Sequence, residues 1–345
     1  MYPVRSHAKG RAIEGTANTP TTTRRDPVID GLKFVAAGAI VMVHVAMQPK
    51  HIGLPMFVEQ VAYSALYFFF MVAGYFHGPL GTRGPKWLRQ RFVRLAVPYF
   101  VWSFVFVAWW NLFHLAKGWP LYFPDPVRFV FFAGAAELLW SLPWLFVCAA
   151  ATELFARTPT MRRGLLVVAA VVQLGVWFFI PARQLPSYAI RQYIEGGRWL
   201  VMYVVGMEFR ELKRVPGSPK LWGAAAFVAA LVAGLIASRI AAQPTAPIPQ
   251  VVMFVLNGTV ALSLLAGARV GAKWFGVGSL SWGGDYLLGV YVSHGLWLAM
   301  LVRFVSATSM PVALWLVFGW VVCFGAAVAV TRLLLTWRWT RLAVT

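Results

Sequence analysis

Asp26-Pro-Val-Ile-Asp30-Gly-Leu-Lys33-Phe34-Val-Ala-Ala-Gly-Ala-Ile-Val-Met-Val-His44-Val-Ala-Met47 decides the fold. From Val28 to Met47 the only ionisable side chains are Asp30, Lys33 and His44. A helix of about 20 residues rises about 30 Å, which matches the hydrocarbon thickness of a bilayer. A carboxylate, an ammonium and an imidazole are expensive there, so each is a functional candidate. Lys33 and His44 lie 11 residues apart. That is about 1100° of helical rotation, so they share a face about 16 Å apart along the axis. Asp30, one turn before Lys33, is placed to pair with it. A neutral imidazole at this depth can take a proton from a hydroxyl group. Spacing alone equally permits a plainer reading, with His44 bonded to a neighbouring helix and Lys33 snorkelling to the interface.

The rest of the chain agrees with a lipid setting. Of its 345 residues 60% are hydrophobic and 12% charged, and mean hydropathy is +0.68. Soluble domains are about half apolar and a quarter charged. Ten apolar stretches are expected to be helices, at about 30–48, 59–78, 95–116, 138–155, 164–180, 194–210, 220–240, 250–268, 280–303 and 311–333. The stretch 122–137 reads as a short re-entrant or interfacial helix. Residues 1–26 read as a disordered basic tail, 27–335 as one multi-span domain, and 336–345 as a short basic tail. The fold class expected is therefore an all-α integral membrane protein with about ten transmembrane helices and no appended soluble domain.

Net charge is +20. In a soluble protein that would point to nucleic acid. Sorted by side, however, 22 of the 31 Lys and Arg fall on the tail side of the expected spans and 8 on the other. The positive-inside rule then puts both termini in the cytoplasm, and the charge becomes a topology and lipid-headgroup signal rather than a nucleic-acid site. Cys148 and Cys323 both sit in apolar runs, which excludes a disulfide-stapled fold and a CxxC metal pair. No Walker loop, HExxH or GxSxG is present, and no metal site is expected.

Several short motifs share a source. Lys33-x10-His44 follows Ile29-Asp30-Gly31-Leu32. Phe68-Phe69-Phe70-Met-Val-Ala73-Gly74-Tyr75 closes the second span. Arg91-Phe-Val-Arg94-Leu-Ala-Val-Pro98-Tyr99 opens the third, and Leu288-Gly289-Val290-Tyr291-Val-Ser-His294 lies in the ninth. In this order they resemble the bacterial transmembrane acyltransferase family 3, the polysaccharide O-acyltransferases. Trp140-Ser-Leu-Pro-Trp144 is a looser match. Ala73 and Leu287 stand where the family usually has Ser, so two hydroxyls are missing.

The resemblance implies a multi-pass enzyme of the bacterial inner membrane. Its donor would be cytoplasmic acyl-CoA, used as a substrate with no permanently bound cofactor. Acetyl is the expected acyl group and succinyl the other donor of such families. Its acceptor would be a hydroxyl of an envelope or exported polysaccharide, such as exopolysaccharide or lipopolysaccharide, or of a lipid-linked glycan. His44 is then the catalytic base of a direct transfer, with an acyl-histidine relay as the alternative. Lys33, Arg89, Arg91 and Arg94 are the donor-binding cations, because guanidinium forks suit coenzyme phosphates. Asp30, Tyr291 and His294 support the site. Arg83 and Lys86 belong to the same basic cluster. The rival reading is a proton- or solute-coupled transporter or flippase of a glycan precursor, although no matched pair of Gly/Pro-broken helices stands out in the two halves. Glu153, Glu195 and Arg198 are expected near span ends and in reach of water, with Glu195 and Arg198 paired. His51, His77 and His114 are expected at the interface without a site role.

Overall fold

Helix formation begins where the sequence favours it. In the computed structural model the Asp26 carboxylate accepts from the N–H groups of Val28 (2.9 Å) and Ile29 (3.2 Å). Pro27 occupies the first turn, where its missing N–H leaves no helical bond unmade. The helix so opened, α1, runs Pro27–Ala46. The structure describes residues 26–48, 54–77, 84–131, 136–180, 194–240, 247–271, 274–305 and 310–344. The N-terminal tail, Arg83 and His51 therefore lie outside the described residues.

The helices that follow are α2 (Leu54–Tyr75), α3 (Pro85–Ala116), α4 (Pro126–Phe131), α5 (Ser141–Phe155), α6 (Pro159–Phe179) and α7 (Gly197–Glu211). After them come α8 (Pro219–Ile240), α9 (Pro247–Arg269), α10 (Leu287–Phe304) and α11 (Val312–Thr336). Tighter 3₁₀ segments occupy Glu137–Trp140, Trp274–Tyr286 and Arg341–Ala343. No strand occurs among the described residues. Among the described residues nine helical stretches are long and apolar enough to cross a membrane. All ten expected segments are helical; the one short of a span is α7, whose 15 residues rise about 22 Å, whereas the equally long α5 is extended by the 3₁₀ turn before it to Leu138–Phe155. The chain is an all-α, multi-pass membrane protein.

The largest shift in a boundary is at α3, which starts at Pro85 rather than near residue 95. Lys86, Leu88, Arg89, Gln90 and Arg91 are good helix formers. The 32-residue helix is about 48 Å long, so its basic first turns extend well beyond a hydrocarbon layer of about 30 Å. Pro98 sits inside this helix and cannot donate to the carbonyl of Arg94.

α1 lies at the centre, packed against α2, α10, α11 and the 274–286 segment. The Asp30-Gly31 step has a steric reason: a Cβ on Gly31 would stand 1.9 Å from the carbonyl oxygen of Val277. A second close crossing joins α2 to α7. Cβ atoms on Gly74 and Gly206 would fall 1.8 Å and 1.9 Å from the carbonyl oxygens of Tyr203 and Met71. Small residues at such crossings let helix backbones approach where lipid supplies no hydrophobic drive. On the periphery α6 exposes Val167, Val168, Val171 and Val172, and α11 exposes Leu314, Val317 and Val321. Such apolar faces suit lipid.

Past Thr336 the chain turns back onto α3. The Trp102 indole donates to the Ala343 carbonyl at 3.0 Å, and Val344 is buried beside Tyr99 and Trp102. The last described residues are thus docked against the bundle.

Candidate active site

The polar face of α1 has two stations. At the first, Lys33 Nζ lies 2.5 Å from Asp30 Oδ1 and 5.2 Å from the centre of the Phe76 ring. The backbone of Gly284 packs beside Asp30, which is buried, while Lys33 keeps partial exposure.

Three turns along is His44. Its ring centre is 5.1 Å from that of His294 on α10. His294 is fully buried, and its Nδ1 lies 3.1 Å from the carbonyl of Val290. A carbonyl only accepts, so Nδ1 carries the proton and Nε2 presents a lone pair. That Nε2 is buried with no hydrogen-bond partner among the described residues.

His44 also lines a cavity of about 20 Å³, together with Ile40, Val43, Tyr63, Leu66, Trp140 and Tyr291. This is room for one water or one reacting oxygen. Tyr291 accepts from Ser141 Oγ at 2.5 Å and donates to the Leu138 carbonyl, so it ties α10 to the turn before α5. Tyr63 accepts from Arg198 Nη2 at 3.2 Å. Arg198 in turn pairs with Glu195 at 2.9 Å and lies 4.3 Å over the Trp199 ring.

The Glu195–Arg198 pair was expected, but its water access was not found. Relative exposures are 2% and 7%. The start of α7 is enclosed by α6, where Gln173 Oε1 accepts from the Arg198 N–H at 3.0 Å, and by Tyr63 of α2. Glu153 is likewise buried rather than solvated. Its Oε2 lies 3.4 Å from Nε2 of His77, whose Nδ1 lies 2.6 Å from the Tyr203 hydroxyl. His77 is therefore an interior residue joining α2, α5 and α7, because the close α2–α7 crossing pulls the end of α2 into the bundle. His114 is half-buried, with Nδ1 2.5 Å from the carbonyl of Pro120.

The basic ridge of α3 borders a groove of about 540 Å³, lined by Lys86, Arg89, Gln90, Val93, Arg94, Val97 and Leu342. The α3 residues recur at three- and four-residue steps and so share one face. Arg89 and Arg94 are brought together there with Lys86. Arg91 does not line the groove; it is half-buried, and its Nε has no hydrogen-bond partner among the described residues. Leu342, from the docked C-terminal segment, forms part of the opposite wall. Three cations with adjacent apolar surface form a surface suited to phosphate oxygens.

Among the described residues no group of three or more His, Cys, Asp or Glu is arranged to hold a metal. Sequence reading missed Tyr63 and Leu342. Nothing in the sequence distinguishes Tyr63 from the other ten tyrosines, and Leu342 reaches the groove only because the chain reverses after α11.

Residues 26–334 match a family model described as an acyltransferase domain, that of acyltransferase family 3. No curated protein and no solved structure matches the chain.

Proposed function

Since the chain belongs to acyltransferase family 3, we propose that this membrane acyltransferase moves an acetyl group from cytoplasmic acetyl-CoA to a glycan hydroxyl. The acceptor is an envelope or exported polysaccharide, or its lipid-linked precursor, and the setting is the bacterial inner membrane with both termini cytoplasmic. Succinyl-CoA is the other donor to test. The observation that carries this reading is the position of His44: an imidazole at a small cavity, beside the buried His294, three helical turns from Lys33.

In this reading the coenzyme phosphates rest on Lys86, Arg89 and Arg94, with Arg91 behind them and Lys33 at the start of the path. The roughly 16 Å from Lys33 to His44 is of the same order as a pantetheine arm. His44 removes the acceptor hydroxyl proton as the oxygen attacks the thioester carbonyl carbon. Collapse of the tetrahedral intermediate breaks the C–S bond, and the thiolate leaves with the proton held by His44. His294, whose Nδ1–H is engaged by Val290, sets the surroundings of that imidazole, and Tyr291 holds α10 in register with the turn before α5. Asp30 holds Lys33.

Purified protein in liposomes, given acetyl-CoA and an envelope polysaccharide extract, is expected to release free thiol and acetylate the glycan. Coenzyme A alone is expected to raise its thermal stability. Glycan movement across the bilayer without thioester loss would contradict the reading and favour a transporter.

A further inference from the structure

Two tyrosines, Tyr63 and Tyr291, line the cavity at His44, and the bonding of their hydroxyls separates them. The Tyr291 proton is committed to the Leu138 carbonyl, and its oxygen accepts from Ser141. Tyr63 is different. Its oxygen accepts from the Arg198 guanidinium at 3.2 Å, and no acceptor takes its own proton among the described residues. An O–H whose oxygen receives a bond from a buried cation is a stronger donor than a free phenol, since charge-assisted bonds are the strong ones and successive bonds polarise one another. Arg198 is itself fixed from three sides, by Glu195 at 2.9 Å, by the Trp199 ring, and through its backbone N–H by Gln173. The Tyr63 oxygen is thus held by a guanidinium that is itself fixed. Trp140 also lines the cavity, but its indole is a donor only, with no charge behind it, and the His44 imidazole is taken up by the base role.

We infer that Tyr63 is the oxyanion donor of the transfer reaction, with Glu195 and Arg198 as its positioning residues. When the acceptor oxygen adds to the thioester carbonyl carbon, the carbonyl π pair moves onto oxygen. The Tyr63 O–H holds that negative charge at a cavity with room for one oxygen atom. The pair returns as the C–S bond breaks, and Tyr63 keeps its proton throughout. A single preorganised donor of this kind contributes about 10²–10³-fold in kcat.

This assignment rests on the acyltransferase reading, and the test keeps the two apart. Wild type, His44→Ala, Tyr63→Phe and protein carrying 3,5-difluorotyrosine at position 63 are placed in phosphatidylethanolamine/phosphatidylglycerol vesicles. Each receives acetyl-CoA and an envelope polysaccharide extract. Thiol release gives kcat and KM, and coenzyme A binding is followed separately by thermal shift. Tyr63→Phe is expected to lose about 10²–10³-fold in kcat at unchanged KM for acetyl-CoA and unchanged coenzyme A binding. A kcat within threefold of wild type, while His44→Ala is inactive, overturns the assignment and leaves the acyltransferase reading standing. Absence of thiol release by wild type overturns both. Should the Phe variant melt early, the difluorotyrosine protein decides, because it keeps ring and hydroxyl and changes chiefly the acidity of the phenol, and with it the strength of its hydrogen bonds. Its kcat must move by more than threefold with coenzyme A binding unmoved; a packing role moves neither.

Discussion

The imidazole rings of His44 and His294 lie 5.1 Å apart, although the two residues belong to the first spanning helix and the one after the 274–286 segment. The Val290 carbonyl fixes one nitrogen of His294 as a donor, so the other presents its lone pair inside the bundle. His294→Phe keeps the ring volume and removes both nitrogens. The expected result is a kcat about 10–100-fold lower with coenzyme A binding unchanged, a smaller loss than the roughly 10²–10⁴ expected for a general base. Steady-state thiol release checks this, and an unchanged kcat would reduce His294 to packing.

Donor binding is expected to divide along the α3 ridge. Arg89→Gln and Arg94→Gln each remove a cation from the 540 Å³ groove. Both side chains are solvent-exposed, so each is expected to raise KM for acetyl-CoA by about tenfold, the low end for a charge-assisted bond. kcat should stay near wild type, since uniform binding is lost. Arg91→Gln, off the groove, should change KM by less. Equal effects at all three positions would contradict the assignment of the groove.

Lys33 has two candidate partners, Asp30 and a coenzyme phosphate. Asp30→Asn leaves the ammonium beside a buried amide and is expected to destabilise by about 1–2 kcal/mol, given the partial exposure of Lys33. The Asp30→Asn/Lys33→Met double variant should recover most of that loss, which a double-mutant cycle on thermal midpoints reads. A raised KM in Lys33→Met alone would add phosphate contact to its role.

The α2–α7 crossing should tolerate no side chain. Gly206→Ala puts a methyl 1.9 Å from the Met71 carbonyl oxygen, where backbone rather than a flexible side chain must move. An expected loss of about 1–3 kcal/mol or more would appear as a lower melting temperature in detergent. Because α2 and α7 carry Tyr63 and Arg198, activity should fall with it.

What the sequence made legible follows the range of each interaction. Ten apolar runs separated by polar loops report local lipid contact, and all ten are helices. The Asp30–Lys33 pair lies one turn apart and is set by helical geometry alone. The face shared by Lys86, Arg89 and Arg94 is local in the same way. Burial of Glu153, Glu195, Arg198 and His77 was not legible, because it depends on which helices close over a span end. Glycines such as Gly74 and Gly206 set that closure, and they look unremarkable in a chain with 30 of them. Tyr63 and Leu342 were missed for the same reason: their neighbours, Arg198 and the α3 ridge, are supplied from far along the chain.

A single comparison bears hardest on the role of His44: thiol release from acetyl-CoA by wild-type and His44→Ala protein, each in liposomes with envelope polysaccharide and each shown to bind coenzyme A. Release and glycan acetylation by wild type, with at least about a 10²-fold loss in kcat for His44→Ala at unchanged coenzyme A binding, is the predicted result. A His44→Ala protein that is folded, binds coenzyme A and acetylates the glycan at the wild-type rate would contradict it.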